Sequence, residues 1–448
     1  MSRTHSTADM TGLMGDPAFK ALLKSAQADY LSWDQFLRMP LPAGTSAMDT
    51  WNLLVEVRRA QAETLPVASP DTRLFWYNRT LRISDALSVL DRECGFDSRL
   101  YKTITAGWGS RFLVRSRIEE VTAAAQMDGL NVSDDAVRRL LYEKCTPRSG
   151  AERVIANMMG VMARLPEYAE RPFSFQLMQE LRDLLLEGVD PASLEYTEHA
   201  DGLLAAGHRL LADSQDWSLS PEERAAHLCA QANGEMGAPY FHPAARALFL
   251  ADAPTSSRPL PDMNSPVGRL MFQLYAFKNG LPVLGLLPIT RAKIMWALGQ
   301  APYDEVSITP KSYFSWIDSD PYDFTPSMTL LMELTMLLLD RLKEAVQRAE
   351  QRDAELLGIL PHDASLNRRQ RLVIGRCLRD PHAEFRVAYH KTLHSVTHTT
   401  ARMDLVSLVD AGYLVRVARG RAYVYLPAPS LYDRLGACPT DRPNTPAE

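Results

Sequence analysis

Apolar residues recur at i, i+3, i+4 and i+7 along most of the chain, and prolines and glycines cut that rhythm into segments. The pattern predicts a mostly helical protein. A polar N-terminal tail leads to LSWDQF around Trp33, then to a proline-rich stretch (MPLPAG, then LPVASPD) and an amphipathic run over 81–94. SRIEEVTAAAQMDG (116–129) comes next and closes at Gly129, a residue free to take the left-handed conformation that ends a helix. In SDDAVRRLLYEK, Ser133 is the expected N-cap, and Asp134 and Asp135 sit at the positive end of the helix dipole. Helices are expected over 152–165 and 174–186; periodicity then fades between Pro191 and Trp217, which predicts a loop or hairpin. It returns in PEERAAHLCAQANG and HPAARALFLAD.

The segment TSSRPLPDMNSP (255–266) holds three prolines and reads as a loop. Ser265 as N-cap and Pro266 at the first helical position then open an apolar helix that ends at Gly280. A loop thus presents the N-terminus of a buried helix, a geometry that suits anions. Met328 to Leu339 is bundle core, interrupted by Thr329, Glu333 and Thr335 and far short of the ~18 apolar residues a membrane span needs. The N-terminus shows no apolar signal-peptide core, and the expectation is a cytoplasmic protein away from membranes.

After a charge-rich helix (340–360), residues 366–430 read as a winged helix: helix, short extended piece, helix, turn, helix, then YLVRVA and AYVYLP joined at Arg419-Gly420-Arg421. Between Leu366 and Tyr425 there are ten Arg and one Lys against three Asp and one Glu, a charge of +7. The whole chain of 448 residues carries −5, so the remainder carries −12 and the charge is polarised. DNA contact is accordingly expected from Arg369, from Thr397, His398, Thr399 and Arg402 at the recognition helix, and from Arg419 and Arg421 at the wing tip. Elsewhere the composition, 46% hydrophobic and 23% charged, is that of a globular protein and excludes wholesale disorder. The five cysteines lie far apart and suggest neither a zinc ribbon nor a disulfide framework.

In order and spacing, several segments resemble the Fic proteins, AMP-transferring enzymes of the Fido fold, in their bacterial form with a C-terminal winged helix. WDQF…LPAG…TW…LP…LDREC is similar to the family's leading domain, IEEVTAAAQMDG to its inhibitory helix, and ANGEMGAPYFHPAARALFL to the helix before its active loop. KNGLPVLGLLPITR and YDFTPSM resemble the family's segments beyond that loop, and LNRRQ…PHAEF…TARMDL the tail. The resemblance implies a mostly α Fido/Fic fold: an N-terminal helical domain (1–95), a Fic-like domain (96–350) with an inhibitory-type segment (117–129), a linker (351–365), a winged helix (366–430) and a disordered tail (431–448).

The family's signature loop, His-Pro-Phe-x-Asp/Glu-Gly-Asn-Gly-Arg-x-x-Arg, falls without gaps on residues 258–269. Pro259, Asp262, Asn264 and Arg269 are kept, while Arg258, Leu260, Met263, Ser265 and Pro266 replace the His, Phe, two Gly and first Arg. In the family the His takes the proton of a target hydroxyl attacking the α-phosphate of ATP, and the acidic residue holds Mg²⁺. By this resemblance Asp262 is the candidate Mg²⁺ ligand, and Arg258, Asn264 and Arg269 are the candidates for nucleotide binding. Arg258 is no base, because a guanidinium stays protonated, and losing a general base alone costs ~10²–10⁴ in rate. Pro266 and Met263 also remove a donor and a glycine from the phosphate cradle.

Asp128 and Gly129 occupy the positions of the inhibitory Glu-Gly, with Asp128 one methylene shorter and Gly129 a plain helix cap. His390, His394 and His398 fall at i, i+4 and i+8, but a turn between the two helices keeps them off a common face. His242 reads as a packed structural residue, and Ser256 and Ser257 lack a triad context. The expectation is a degenerate Fic protein with AMP transfer lost or strongly impaired, acting by nucleotide (ATP with Mg²⁺), protein or DNA binding, with homodimerisation open. An active transferase of altered chemistry and a winged-helix DNA regulator are the alternatives.

Overall fold

Short polar side chains start many of the helices. Asp16, Ser32, Ser46, Thr80, Ser149, Ser174, Ser220 and Thr397 each accept a hydrogen bond from an amide of the first turn, supplying a partner that the helix itself lacks there. The computed structural model describes residues 14–68, 74–105, 110–143, 145–190, 194, 219–235, 241–317, 322–359, 366–379, 383–419, 422–429 and 431. The protein is mostly helical, with two small antiparallel hairpins among the described residues. The chain divides into two units: Met1–Tyr101, Ser116–Val137 and Pro147–Asp340 form the first, and Lys102–Arg115, Arg138–Thr146 and Arg341–Glu448 the second.

The larger unit opens with α1 (Pro17–Ala28), α2 (Trp33–Phe36) and α3 (Ala47–Ala60), whose core gathers Leu22, Phe36, Trp51 and Leu54. Trp33, Phe36 and Trp51 meet there with ring centroids 5.1–5.3 Å apart. Two features differ from the sequence expectation. Residues 17–28 form a helix where a polar tail was expected, because Asp16 caps it and Phe19, Leu22 and Ala26 recur on one buried face. The stretch read as proline-rich is strand β1 (Glu63–Ala68), paired with β2 (Leu74–Tyr77). Its register is irregular between Thr64 and Ala68, where Pro66 has no amide hydrogen to give the ladder.

The chain continues through α4 (Leu81–Glu93), α5 (Arg99–Thr103), α6 (Ser110–Met127), α7 (Asp134–Glu143), α8 (Gly150–Arg164), α9 (Phe175–Leu185) and α10 (Pro221–Asn233). Then come α11 (Pro243–Ser257), α12 (Asn264–Lys278), α13 (Pro282–Gly285), α14 (Ile289–Ala297), α15 (Pro310–Ile317) and the long α16 (Thr325–Ile359). Every residue of α12 from Asn264 to Ala276 is buried, as an apolar helix enclosed on all sides must be. Gly268 lets α11 cross closely: a Cβ there would lie 3.1 Å from the ring of Pro254, which would have to give by a few tenths of an ångström. The expected loop at 191–217 lies outside the described residues apart from Leu194.

In the second unit, α17 (Arg368–Arg379), α18 (Val387–His394), α19 (His398–Asp410), β3 (Leu414–Arg419) and β4 (Ala422–Pro427) occur in the order the sequence predicts. Their core is built from Val373, Ile374, Cys377, Phe385, Leu405, Leu408, Leu414 and Tyr425. Phe385 bridges Tyr425 on the side of β4 away from β3, so β4 is the inner strand. Residues 360–365 and the tail from 432 lie outside the described residues; Leu431 is buried in this core.

Candidate functional site

Helix α11 runs through Ser257, three residues further than expected, with Pro254 inside it, and ends at Arg258, which takes the left-handed conformation (φ 45°). Residues 259–263 turn the chain back, and Met263 is also left-handed (φ 57°). The next helix starts two residues earlier than the sequence implies. Met263, not Ser265, stands at the N-cap and offers no side-chain acceptor. Pro266 is accordingly the third helical residue, still inside the first turn, where a missing amide hydrogen leaves no intrahelical bond broken.

The missing cap is supplied from α6. The backbone amide of Ser265 donates to Oδ1 of Asp128 (3.1 Å), and Asn264's amide also bonds this carboxyl. Its Oδ2 is fully enclosed without a hydrogen-bond partner. Burial drives the Asp128 carboxyl up to about 7, against the opposing pull of the Ser265 and Asn264 amides and of Arg258, while Asp262 adds to the rise. Gly129 comes next at φ 82°, and the Leu130 amide returns to Ala125 O (3.0 Å), closing α6 as a glycine-capped helix closes.

Asp262, Asn264 and Arg269 also have protein partners. Asp262 receives a two-pronged ion pair from Arg182 of α9, with Nε on Oδ1 and Nη2 on Oδ2, the latter at 2.8 Å. Asn264 clamps the turn with both ends of its amide: Oδ1 accepts from Leu260 N (3.0 Å), and Nδ2 donates to Leu260 O (2.8 Å). Arg269 points into the interior and is 1% exposed. Its Nε lies 3.1 Å from Oε1 of Glu120, itself 1% exposed, and Nη2 donates to Gly285 O (2.9 Å) and Leu287 O (2.7 Å). Arg258 is exposed at the helix end.

Two residues that sequence reasoning missed therefore organise the site, Glu120 and Arg182. Glu120 lies eight residues before Asp128 on α6 and also accepts from the Thr290 amide (3.0 Å) at the start of α14. Helix α6 thus lends one carboxylate to the N-terminus of α12 and another to that of α14. Acidic residues two helical turns apart were visible in the sequence, but no spacing linked Arg182 to Asp262 across 80 residues.

Other sequence candidates are accounted for locally. His242 caps α11, with Nδ1 accepting from Ala244 N (3.1 Å) and Nε2 3.0 Å from Asp91 Oδ2. Ser257 Oγ donates to Ala253 O (2.7 Å), and the side chain of Ser256 lies outside the described set. In the second unit Asp404 is a hub: Arg369 donates through Nε (2.6 Å) and Nη2 (3.0 Å), Asn367 through Nδ2 (2.8 Å), and His390 Nε2 lies 3.1 Å away. Burial pushes the Asp404 carboxyl up, but these hydrogen bonds outweigh it and hold it below the usual range; burial lowers His390.

Thr397 is the N-cap of α19, accepting from Thr400 N (3.1 Å). His398, Thr399 and Arg402 are exposed on that helix, so His398 faces solvent while His390 is turned inward to Asp404. Arg419 ends β3 with its side chain outside the described set, and Arg421 lies outside the described residues.

Comparison with models of known families finds no match, and neither does comparison with curated proteins. Among solved structures, the chain is similar to the crystal structure of a Fic family protein from Desulfovibrio desulfuricans G20, with 16% identity and a TM-score of 0.43, covering 78% of this chain and 97% of that one. Among the described residues, no helix is long and apolar enough to cross a membrane.

Proposed function

We propose that this chain is a Fic-like protein that does not transfer AMP and acts by binding a macromolecule. The observation that supports this most is the Arg182 fork on Asp262, which engages both oxygens of the carboxylate that would hold Mg²⁺. ATP and Mg²⁺ do not fit the neighbouring groups either. Asn264 is closed on Leu260 and the amide of Ser265 on Asp128, while Arg269 is 1% exposed and turned inward to Glu120 and two carbonyls, although its Nη1 has no hydrogen-bond partner. At position 258 a guanidinium stands where the reaction needs a base.

The test is incubation of the full chain with α-labelled ATP, Mg²⁺ and cell lysate, beside a thermal shift measured with and without ATP and Mg²⁺. No transferred label and an unchanged melting temperature are expected. Label transfer that disappears in Asp262→Ala overturns the reading in favour of an active transferase.

A second reading, DNA contact by the second unit, is favoured by exposed His398, Thr399 and Arg402 around the first turn of α19 and by the excess of arginine in this region. A gel shift at two salt concentrations tests it. Affinity that falls steeply with salt, with a slope reduced by about one in Arg402→Ala, supports it, and no binding at low salt removes it.

A further inference from the structure

A groove in the second unit has three walls. Val406 and Val409 of α19 form the first, Leu414 and Val415 at the start of β3 the second, and Ala428 and Pro429, just past the end of β4, the third; it holds about 580 Å³. These six residues are apolar, and Val415 is 36% exposed, so a covering group would remove apolar surface from water. The charged residues of the lining, Asp410 and Arg416, are opposite in sign, and the groove offers no clustered cations to a phosphate backbone. Among the described residues β3 pairs with β4 alone, which leaves its other edge open as well.

The course of the chain after β4 identifies the occupant. Pro427 pairs with Leu414, so β4 ends beside the start of β3. The Ala428 amide then donates to Tyr413 O (3.0 Å), and Ala428 and Pro429 already stand in the groove wall. Leu431, whose amide donates to Ala428 O (3.0 Å), is fully buried in the core that also holds Leu405, Leu408 and Leu414. The chain is thus pinned two residues past the groove wall, and the 17 residues that follow Leu431 in the 448-residue sequence start from there. The first seven of them (432–438) carry Tyr432, Leu435 and Cys438 at a spacing of three. Beyond Cys438 the sequence is polar, with prolines at 439, 443 and 446 and no large apolar side chain.

We infer that 432–438 docks in the α19–β3 groove of its own chain, with Leu435 as its apolar anchor. Seven residues reach up to about 25 Å, enough to pass along Val409 and Val415 from the anchor at Leu431. Tethering this close holds the segment at an effective concentration on the order of millimolar. A contact with a dissociation constant of about 1 mM is then roughly half-formed within one chain, whereas a separate protein of the same affinity leaves the groove empty at micromolar concentrations. This inference is independent of the proposed loss of AMP transfer and of the DNA reading.

Disulfide trapping in the full chain tests it. Cys438 is offered a thiol in the groove wall, through Val415→Cys, or a control thiol elsewhere in the same unit, through Ala388→Cys on α18. Both positions are exposed, so neither substitution opens a cavity. In oxidised glutathione, Val415→Cys is expected to bond Cys438 of its own chain at least roughly tenfold faster than Ala388→Cys does, as read by mass spectrometry of the linked peptides. Adding Leu435→Asp, at a position outside the core, is expected to remove that advantage, which tethering alone would leave in place. Equal rates at the two thiols, or an advantage that survives Leu435→Asp, overturn the inference. So do bonds between positions 415 and 438 that join two chains, which would give the groove to a second copy instead.

Discussion

Replacing Asp128 by asparagine isolates the electrostatics at the start of α12. The unfolded carboxyl titrates near 3.8 and the folded one at about 7. At about 1.36 kcal/mol per tenfold change, ionising Asp128 in the folded chain costs about 4 kcal/mol, and residual contact of this half-buried residue with water brings that to roughly 2–4. The sign comes from proton counting. Between pH 3.8 and 7 the folded state holds a proton that the unfolded state has released, so stability falls as pH rises. The contribution is complete below pH 3.8 and is lost as the pH passes about 7. Asp128→Asn keeps the oxygen that accepts from the Ser265 amide but never ionises. At pH 8 the variant is therefore expected to melt above the parent by roughly 3–6 °C, and at pH 5, where about 40% of the contribution is already lost, by roughly 1–2 °C. Calorimetry of both proteins at the two pH values measures the difference. A gap that does not change with pH, or a variant that melts below the parent at pH 8, refutes the reasoning. In the second case the ionised carboxylate is the better cap.

Glu120→Leu, which strands the buried guanidinium of Arg269, should cost about 3–5 kcal/mol in denaturant titrations; Arg269→Met added to it should recover most of that, because no charge is then left unpaired. Asp404→Ala removes the shared partner of Arg369, Asn367 and His390 and should melt the second unit at lower temperature by a similar free energy. That unit should also respond to acid in the opposite sense to Asp128. Asp404 and His390 are both held below their ordinary values, so their contributions are present above those values and lost as pH falls, first below about 6.5 and then below about 4. Circular dichroism melts between pH 4 and 8 should show this loss, reduced in Asp404→Ala. At the exposed left-handed residue Arg258, glycine relieves backbone strain, and Arg258→Gly should raise stability by roughly 1 kcal/mol at pH 5, where Asp128 is protonated.

Local signals determined most of the helical plan. Ser and Thr caps, glycine ends and the 3.6-residue apolar rhythm are short-range properties, which is why Ser133, Gly129 and the succession from Arg368 to Pro427 could be read one segment at a time. The substitutions at 258, 263 and 266 were equally legible, since they need only the residue types. What the tertiary structure decided is which partner each polar group takes. Asp262 meets Arg182 across 80 residues, Asp128 meets the start of α12 across 137, and Glu120 reaches Arg269 only because α6 lies beside a helix buried on every side. The same holds for the start of α12. The sequence alone favoured Ser265 as its cap, but a carboxylate brought in from another helix satisfies that turn, so Ser265 and Pro266 move inside it. A cap supplied at long range obeys the same hydrogen-bonding requirement as a local one, yet leaves no mark in the neighbouring residues.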